Sequence, residues 1–269
     1  MGTKYEEVAA DLRRRINSGE FPAGSTLPGY SELKEQYGAD GGQASQATIR
    51  AALDLLEGEG LVRPVKRLGI VVRDPGERRR IQRGSQVTRN PASGYVFPAA
   101  KGPDEKWAPH GRPHAAHTAI PDAVAERLGI EPGTMVMRRR RVMSPVGEPP
   151  FQIADAWIHP DVLAEAPQAG EPSTGPGGYL DRIEEAGHGP LEWEEVTRAR
   201  MPSREEAKLL EMPTSMPVLE TTTTGTSART GQAVEVSVRV IPADRAEIVS
   251  KLQRGAGARW PVQPAQPAQ

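Results

Sequence analysis

The sequence predicts an α+β protein of two modules, and three observations carry that expectation. Residues 1–73 set three stretches of helical periodicity between Gly/Pro turns and finish in a short β-hairpin. Residues 112–254 contain a helix-then-hairpin unit that occurs twice: Pro121, Pro132 and Met135 return as Pro202, Pro213 and Met216, each displaced by 81 residues. Residues 74–111 and 255–269 are punctuated by Pro, Gly, Ser and Ala, and read as an irregular connector and a disordered tail.

Bulk properties narrow the class. A chain of 269 residues exceeds the usual single-domain length. With 37% hydrophobic and only 4% aromatic residues, and no apolar run of spanning length, no membrane partner is expected. The N-terminus lacks the basic-then-apolar layout of a secretory signal, so a cytoplasmic location is expected. The absence of cysteine excludes disulfides, cysteine-ligated zinc and thiol nucleophiles. Net charge is −1, yet residues 63–89 hold nine Arg and Lys against Asp74 and Glu77, a local +7. Beside a hairpin, such a stripe is the footprint expected of a face that meets phosphates, although a solvated charge run has the same composition.

The N-terminal elements follow from spacing. Tyr5, Val8, Ala9, Leu12 and Ile16 share one helical face, and Gly19 with Phe21-Pro22-Ala23-Gly24 ends that helix. A second, short helix spans Tyr30 to Tyr37 with Leu33 and Tyr37 facing inward. Ser45 can accept from an unpaired amide and so starts a third helix, whose Ile49, Leu53 and Leu56 face the core up to Gly60. Leu61-Val62-Arg63 and Ile70-Val71-Val72 read as paired strands around a basic tip. This is the order of a winged helix-turn-helix. Gln46, Thr48 and Arg50 then project from the first turns of a recognition helix, where Gln can pair with adenine and Arg with guanine.

In the order of its elements, and in Thr48-Ile49-Arg50, Leu53 and Gly58-Glu59-Gly60-Leu61, the stretch Tyr5 to Val72 resembles the GntR transcription regulators. The resemblance implies a double-stranded operator, contacted by Ser31, Ser45, Gln46, Thr48, Arg50, Lys66, Arg67 and Gly69, and a homodimer reading a near-palindrome. Three departures accompany it. Gly29-Tyr30-Ser31 stands where the family has Ser-Glu-Arg, Asp40 to Ala44 lengthens a tight turn, and the wing's Gly-Arg-Gly tip becomes Arg67-Leu68-Gly69.

In the second module, short helices at Asp122 to Leu128 and Ser203 to Leu210 each precede a strand pair: Met135–Met143 with Phe151–Ile158, and Val218–Gly225 with Val234–Ile241. Ser203-Arg204-Glu205-Glu206 is a capping box. Two such units make one shared antiparallel sheet with a cavity between the halves. Trp107, His110, His114 and His117 lie among Pro103, Pro109 and Pro113, so loop histidines are expected rather than a metal site.

The repeat resembles the UTRA effector domain of the HutC branch of these regulators, which looks like chorismate lyase in fold. That resemblance implies a small-molecule effector, anionic where an Arg-x-Arg strand grips it, and Arg139-Arg140-Arg141 fits that position. Alternation puts Arg139 and Arg141 on one face and Arg138 and Arg140 on the other, so inward arginines need a bound acid or a partner such as Glu220 or Glu235. Glu235 matches a glutamate that sugar-binding relatives direct at ligand hydroxyls, whereas their pocket tyrosine falls at Ile241. Trp157 serves as pocket wall or sheet core. Effector-binding candidates are therefore Arg139, Arg141, Trp157, Glu220 and Glu235. A ligand-released repressor is expected, with no cofactor, metal or catalytic residue. The competing enzyme reading finds no Gly-x-Ser-x-Gly, P-loop or His-Glu-x-x-His to support it.

Overall fold

A computed structural model describes residues 3–38, 44–65, 67–73, 78–84, 87–90, 94–96, 105–252, 254, 255 and 258. The N-terminal module consists of α1 (Lys4–Asn17), α2 (Tyr30–Gln36), α3 (Gln46–Gly58), β1 (Val62–Val65) and β2 (Gly69–Val72). At the start of α1, the Thr3 amide donates to the Glu6 carboxylate at 2.7 Å; at α3 the Thr48 amide donates to Ser45 Oγ at 3.0 Å. Leu12, Leu33, Ile49, Leu53, Leu56, Val62 and Val72 close one core, and β1 pairs antiparallel with β2 from Val62↔Val72 to Val65↔Gly69.

The segment read from composition as an irregular connector with a single strand at Gly94-Tyr95-Val96-Phe97 holds that strand over Gly94–Val96 and others besides. It contains β3 (Arg79–Arg83), β4 (Thr88–Asn90), β5 (Gly94–Val96) and β6 (Trp107–Pro109). β3 runs parallel to β13 (Ala246–Ser250), and Ile81, buried there, packs with Phe151, Ile241 and Ala246. Such pairings join residues far apart in sequence, so local composition carries no trace of them. The expected loop histidines also need correction: His114 and His117 lie on β7 (His114–Ala119), which pairs with β8. The four residues of Asp40 to Gln43 and the tail from 259 lie outside the described residues.

The remaining elements are α4 (Asp122–Leu128), β8 (Met135–Pro145), β9 (Gln152–Ile158), α5 (Pro160–Glu165), α6 (Gly178–Ile183), β10 (Leu191–Arg200), α7 (Arg204–Leu209), β11 (Val218–Ser227) and β12 (Ala233–Pro242). Both repeated units form as the spacing predicts. Gly129, at φ +69°, closes α4 in the left-handed conformation, and α7 carries the reciprocal Ser203/Glu206 capping box at 3.1 and 2.7 Å. One antiparallel sheet orders its strands β10-β11-β12-β9-β8-β6, with β7 also on β8. The edge strand β10, Leu-Glu-Trp-Glu-Glu-Val-Thr-Arg-Ala-Arg, escapes pattern reading because half of its residues are charged and its apolar ones do not alternate along the strand.

The sheet has two occupied faces. On one, α5 and α6 pack through Val162, Leu180 and Ile183 onto Ile158. On the other, α4 covers Trp157, Val136 and Val236, and α7 covers Val142, Ile153, Val218 and Val240.

Candidate DNA interface and effector site

The DNA-facing candidates occupy the outer surface opposite the core of the N-terminal module. Ser31 on α2, the cap residue Ser45, and Gln46 and Arg50 on α3 are all exposed, while Ile49 between them is buried. Thr48 is half-buried, its hydroxyl 2.7 Å from Ser45 Oγ, so it completes the cap rather than projecting freely. Arg67 and Gly69 are exposed in the wing and have φ of +70° and +100°, a backbone that turns the chain sharply between β1 and β2. Lys66 lies outside the described residues.

The basic stripe does not face outward as a unit. Arg73 is buried against Asp244; Arg79 donates to Glu105 at 2.8 Å and to Glu148 at 3.0 Å; Arg83 donates to Glu195 at 2.6 Å; Arg89 pairs with Asp181, and Arg80 with Glu247. Most of those cations hold the C-terminal module together. The reading of the stripe as a phosphate footprint is thereby corrected for Arg73, Arg79, Arg80, Arg83 and Arg89: charge counting within the stripe cannot see carboxylate partners that lie outside it.

The five effector-binding candidates are divided by the sheet. Registers Arg139↔Ala156, Ala156↔Ser237, and Ile158↔Glu235 place Arg139, Arg141 and Glu235 on the face covered by α5 and α6. Trp157 and Glu220 lie on the opposite face. Glu220 is therefore not the partner of Arg139 or Arg141; it accepts from Arg198 Nε at 2.7 Å and Arg200 Nε at 2.6 Å. Arg140 pairs with Asp155 at 2.7 Å on that same face. A cavity of about 380 Å³ opens there between α4 and α7, over Trp157, Thr222, Val238 and Val240.

On the α5/α6 face, the Arg139 side chain is buried at 4% exposure and donates to the backbone carbonyls of Ala169, at 2.8 Å, and Glu171. Its guanidinium stands 5.3 Å from the centroid of the Tyr179 ring. Arg141 donates to Pro172 O at 3.4 Å. Among the described residues neither has a carboxylate within ion-pair distance. Burial, then the neighbouring Arg141 charge, lowers the Arg139 pKa to about 10.

Tyr179 joins the two predicted polar groups, its hydroxyl donating to Glu235 Oε2 at 3.1 Å. Glu235 is fully buried, and burial pushes its carboxyl up to about 8 against the opposing pull of Tyr179 and Arg239. At neutral pH it holds a proton, and its Oε1 makes no hydrogen bond among the described residues. Beyond it, Arg83, Glu195, Arg239 and Thr223 form a second polar group on the same face. Tyr179 was not legible in sequence, because α6 lies between the repeated units and has no counterpart in either.

Comparison with known proteins agrees with this arrangement. Residues 4–72 match the gntR family of bacterial regulatory proteins, and residues 114–247 match the UTRA domain. An uncharacterized HTH-type transcriptional regulator of Streptomyces coelicolor is 28% identical over 253 residues, 88% of each chain. The regulator YieP of Escherichia coli, also uncharacterized, is 39% identical over 62 residues, 23% of this chain and 25% of its own. A crystal structure described as a GntR-family transcriptional regulator superposes with a TM-score of 0.57 at 29% identity, covering 94% of this chain and 98% of that one. With a DNA-binding module of that type joined to a UTRA effector domain, this chain is a ligand-responsive DNA-binding transcription regulator, not an enzyme, and belongs to the gntR family.

Proposed function

We propose that the protein is a cytoplasmic homodimeric repressor that leaves its operator when an anionic small molecule binds beside Arg139. Residues 1–73 supply the DNA-binding module and 112–254, joined by β3, the effector module. One observation carries the choice of ligand. The buried Arg139 and the half-buried Arg141 stand side by side on the α5/α6 face with no carboxylate within ion-pair distance among the described residues, and two like charges so placed gain most from an anion. The protonated Glu235 beside Tyr179 supplies a neutral donor for a ligand oxygen. Trp157 and Glu220 fall outside this site; Glu220 and Asp155, on the cavity face, are already matched by arginines.

Contacts to DNA come from Gln46 and Arg50 of α3 and from the wing at Lys66 and Arg67, with Ser31, Ser45, Thr48 and Gly69 shaping the surface around them. An effector acts only by favouring one arrangement of the two modules over the other. The test is thermal-shift titration of the full chain with small phosphates and carboxylates, followed by operator-release assays with any that stabilise it. Stabilisation of the wild type that is lost in Arg139→Met supports the reading. Equal stabilisation of both proteins places the ligand elsewhere, the α4/α7 cavity being the alternative.

A further inference from the structure

The C-terminal end of the recognition helix is seated on the effector domain. A Cβ at Gly58 would stand 3.2 Å from Ser215 Oγ, and one at Gly60 would stand 3.1 Å from Met216 Cε and 3.7 Å from Asp244 Cβ. Gly60 has φ +76°, so the chain turns out of α3 directly beneath these side chains. The wing is tied to the same spot. Arg73, immediately after β2, donates its backbone N–H to Leu61 O at 2.8 Å and buries its side chain against Asp244, with Nη1 3.6 Å from Met216 Sδ.

We infer that Arg73 and Asp244 are positioning residues that hold the recognition helix in one orientation against the effector domain. Asp244 lies just beyond β12, the strand that carries Glu235 and Arg239, so a displacement of β12 reaches the DNA-binding module through one ion pair. This link to the ligand rests on the reading of the Arg139/Glu235 face as the effector site; the positioning role does not. The surrounding charges define the pair's character. Arg63 and Arg245 repel Arg73 while Glu57 attracts it, and Arg245 is itself held by the carbonyls of Pro150, Leu210 and Glu211. Arg73 Nη2 and Asp244 Oδ1 make no hydrogen bond among the described residues. A buried pair made through one nitrogen and one oxygen fixes an orientation yet opens more readily than a bidentate one.

The chain contains no cysteine, so Asn17→Cys and Ala228→Cys, both at exposed positions, accept one spin label in each module. Full-length labelled protein, diluted into unlabelled protein, should give a single narrow intramolecular distance. Arg73→Met should broaden it about twofold and weaken binding to DNA selected by the wild type about tenfold, since an unpaired buried carboxylate remains. Arg73→Lys keeps one cationic donor and should restore both readouts. Asp244→Asn should broaden the distance as Arg73→Met does, and serves as the test if Arg73→Met fails to fold. A broad distribution in the wild type, or wild-type width in Asp244→Asn, overturns the inference. Absence of any stabilisation by inorganic phosphate would bear on the ligand reading alone, because the distance measurement contains no ligand.

Discussion

Glu235→Gln should remove a pH dependence of stability that the wild type carries through the neutral range. The carboxyl ionises near 4.5 in an ordinary environment and near 8 in the folded protein, raised chiefly by burial. Between those values the folded state keeps a proton that the unfolded state has lost. The stabilising contribution is therefore fully present below pH 4.5 and is lost as pH rises through 8. At about 1.4 kcal/mol per pH unit, moving from about pH 5 to about pH 7 lowers stability by roughly 2–3 kcal/mol, the lower figure allowing for relaxation around the ionised group. Glutamine keeps the shape and an acceptor for the Tyr179 hydroxyl but cannot ionise. Urea unfolding of both proteins across that range measures the effect as the difference between two curves, which cancels all other titrating groups. Parallel curves for wild type and Glu235→Gln would refute the assignment of a buried, protonated carboxyl.

Other outcomes follow from the same geometry. Arg50→Ala should leave the melting temperature unchanged, because the side chain is exposed, while costing about 1–3 kcal/mol in operator affinity by fluorescence anisotropy. Leu12→Ala, at a site with 0% exposure, should destabilise the N-terminal module by about 2–5 kcal/mol in chemical unfolding. Ser203→Ala removes the Oγ that accepts from the Glu206 amide at 3.1 Å and should lower stability by about 1 kcal/mol without altering DNA affinity. Arg139→Met should abolish stabilisation by small anions in thermal-shift assays, because the buried guanidinium is the cation they would meet.

The limits of pattern reading are clearest in the arginines. The sequence shows Arg138 to Arg141 alternating along a strand, and the alternation holds: Arg140 faces Asp155 and Glu205, and Arg139 faces Tyr179. Which face meets a carboxylate depends on strands β9 and β12, and nothing local to β8 encodes it. The pairing of Glu220 with Arg198 and Arg200 likewise needs β10 beside β11, and β10 has too few alternating apolar residues to announce itself.

The sequence by itself determined α1 to α3, the hairpin after them, and both helix-plus-hairpin units, because the helices rest on interactions within a few residues and each hairpin pairs strands that follow one another in the chain. Helical periodicity, the Ser45 and Ser203 caps and the Gly129 terminus are all local chemistry. The tertiary structure alone decided where charges go. Arg83 meets Glu195 across 112 residues, Arg79 meets Glu148 across 69, and Arg73 reaches Asp244 in the other module. Ion pairs form between whatever side chains the sheet brings together, so their partners are fixed by strand order and register rather than by position along the chain.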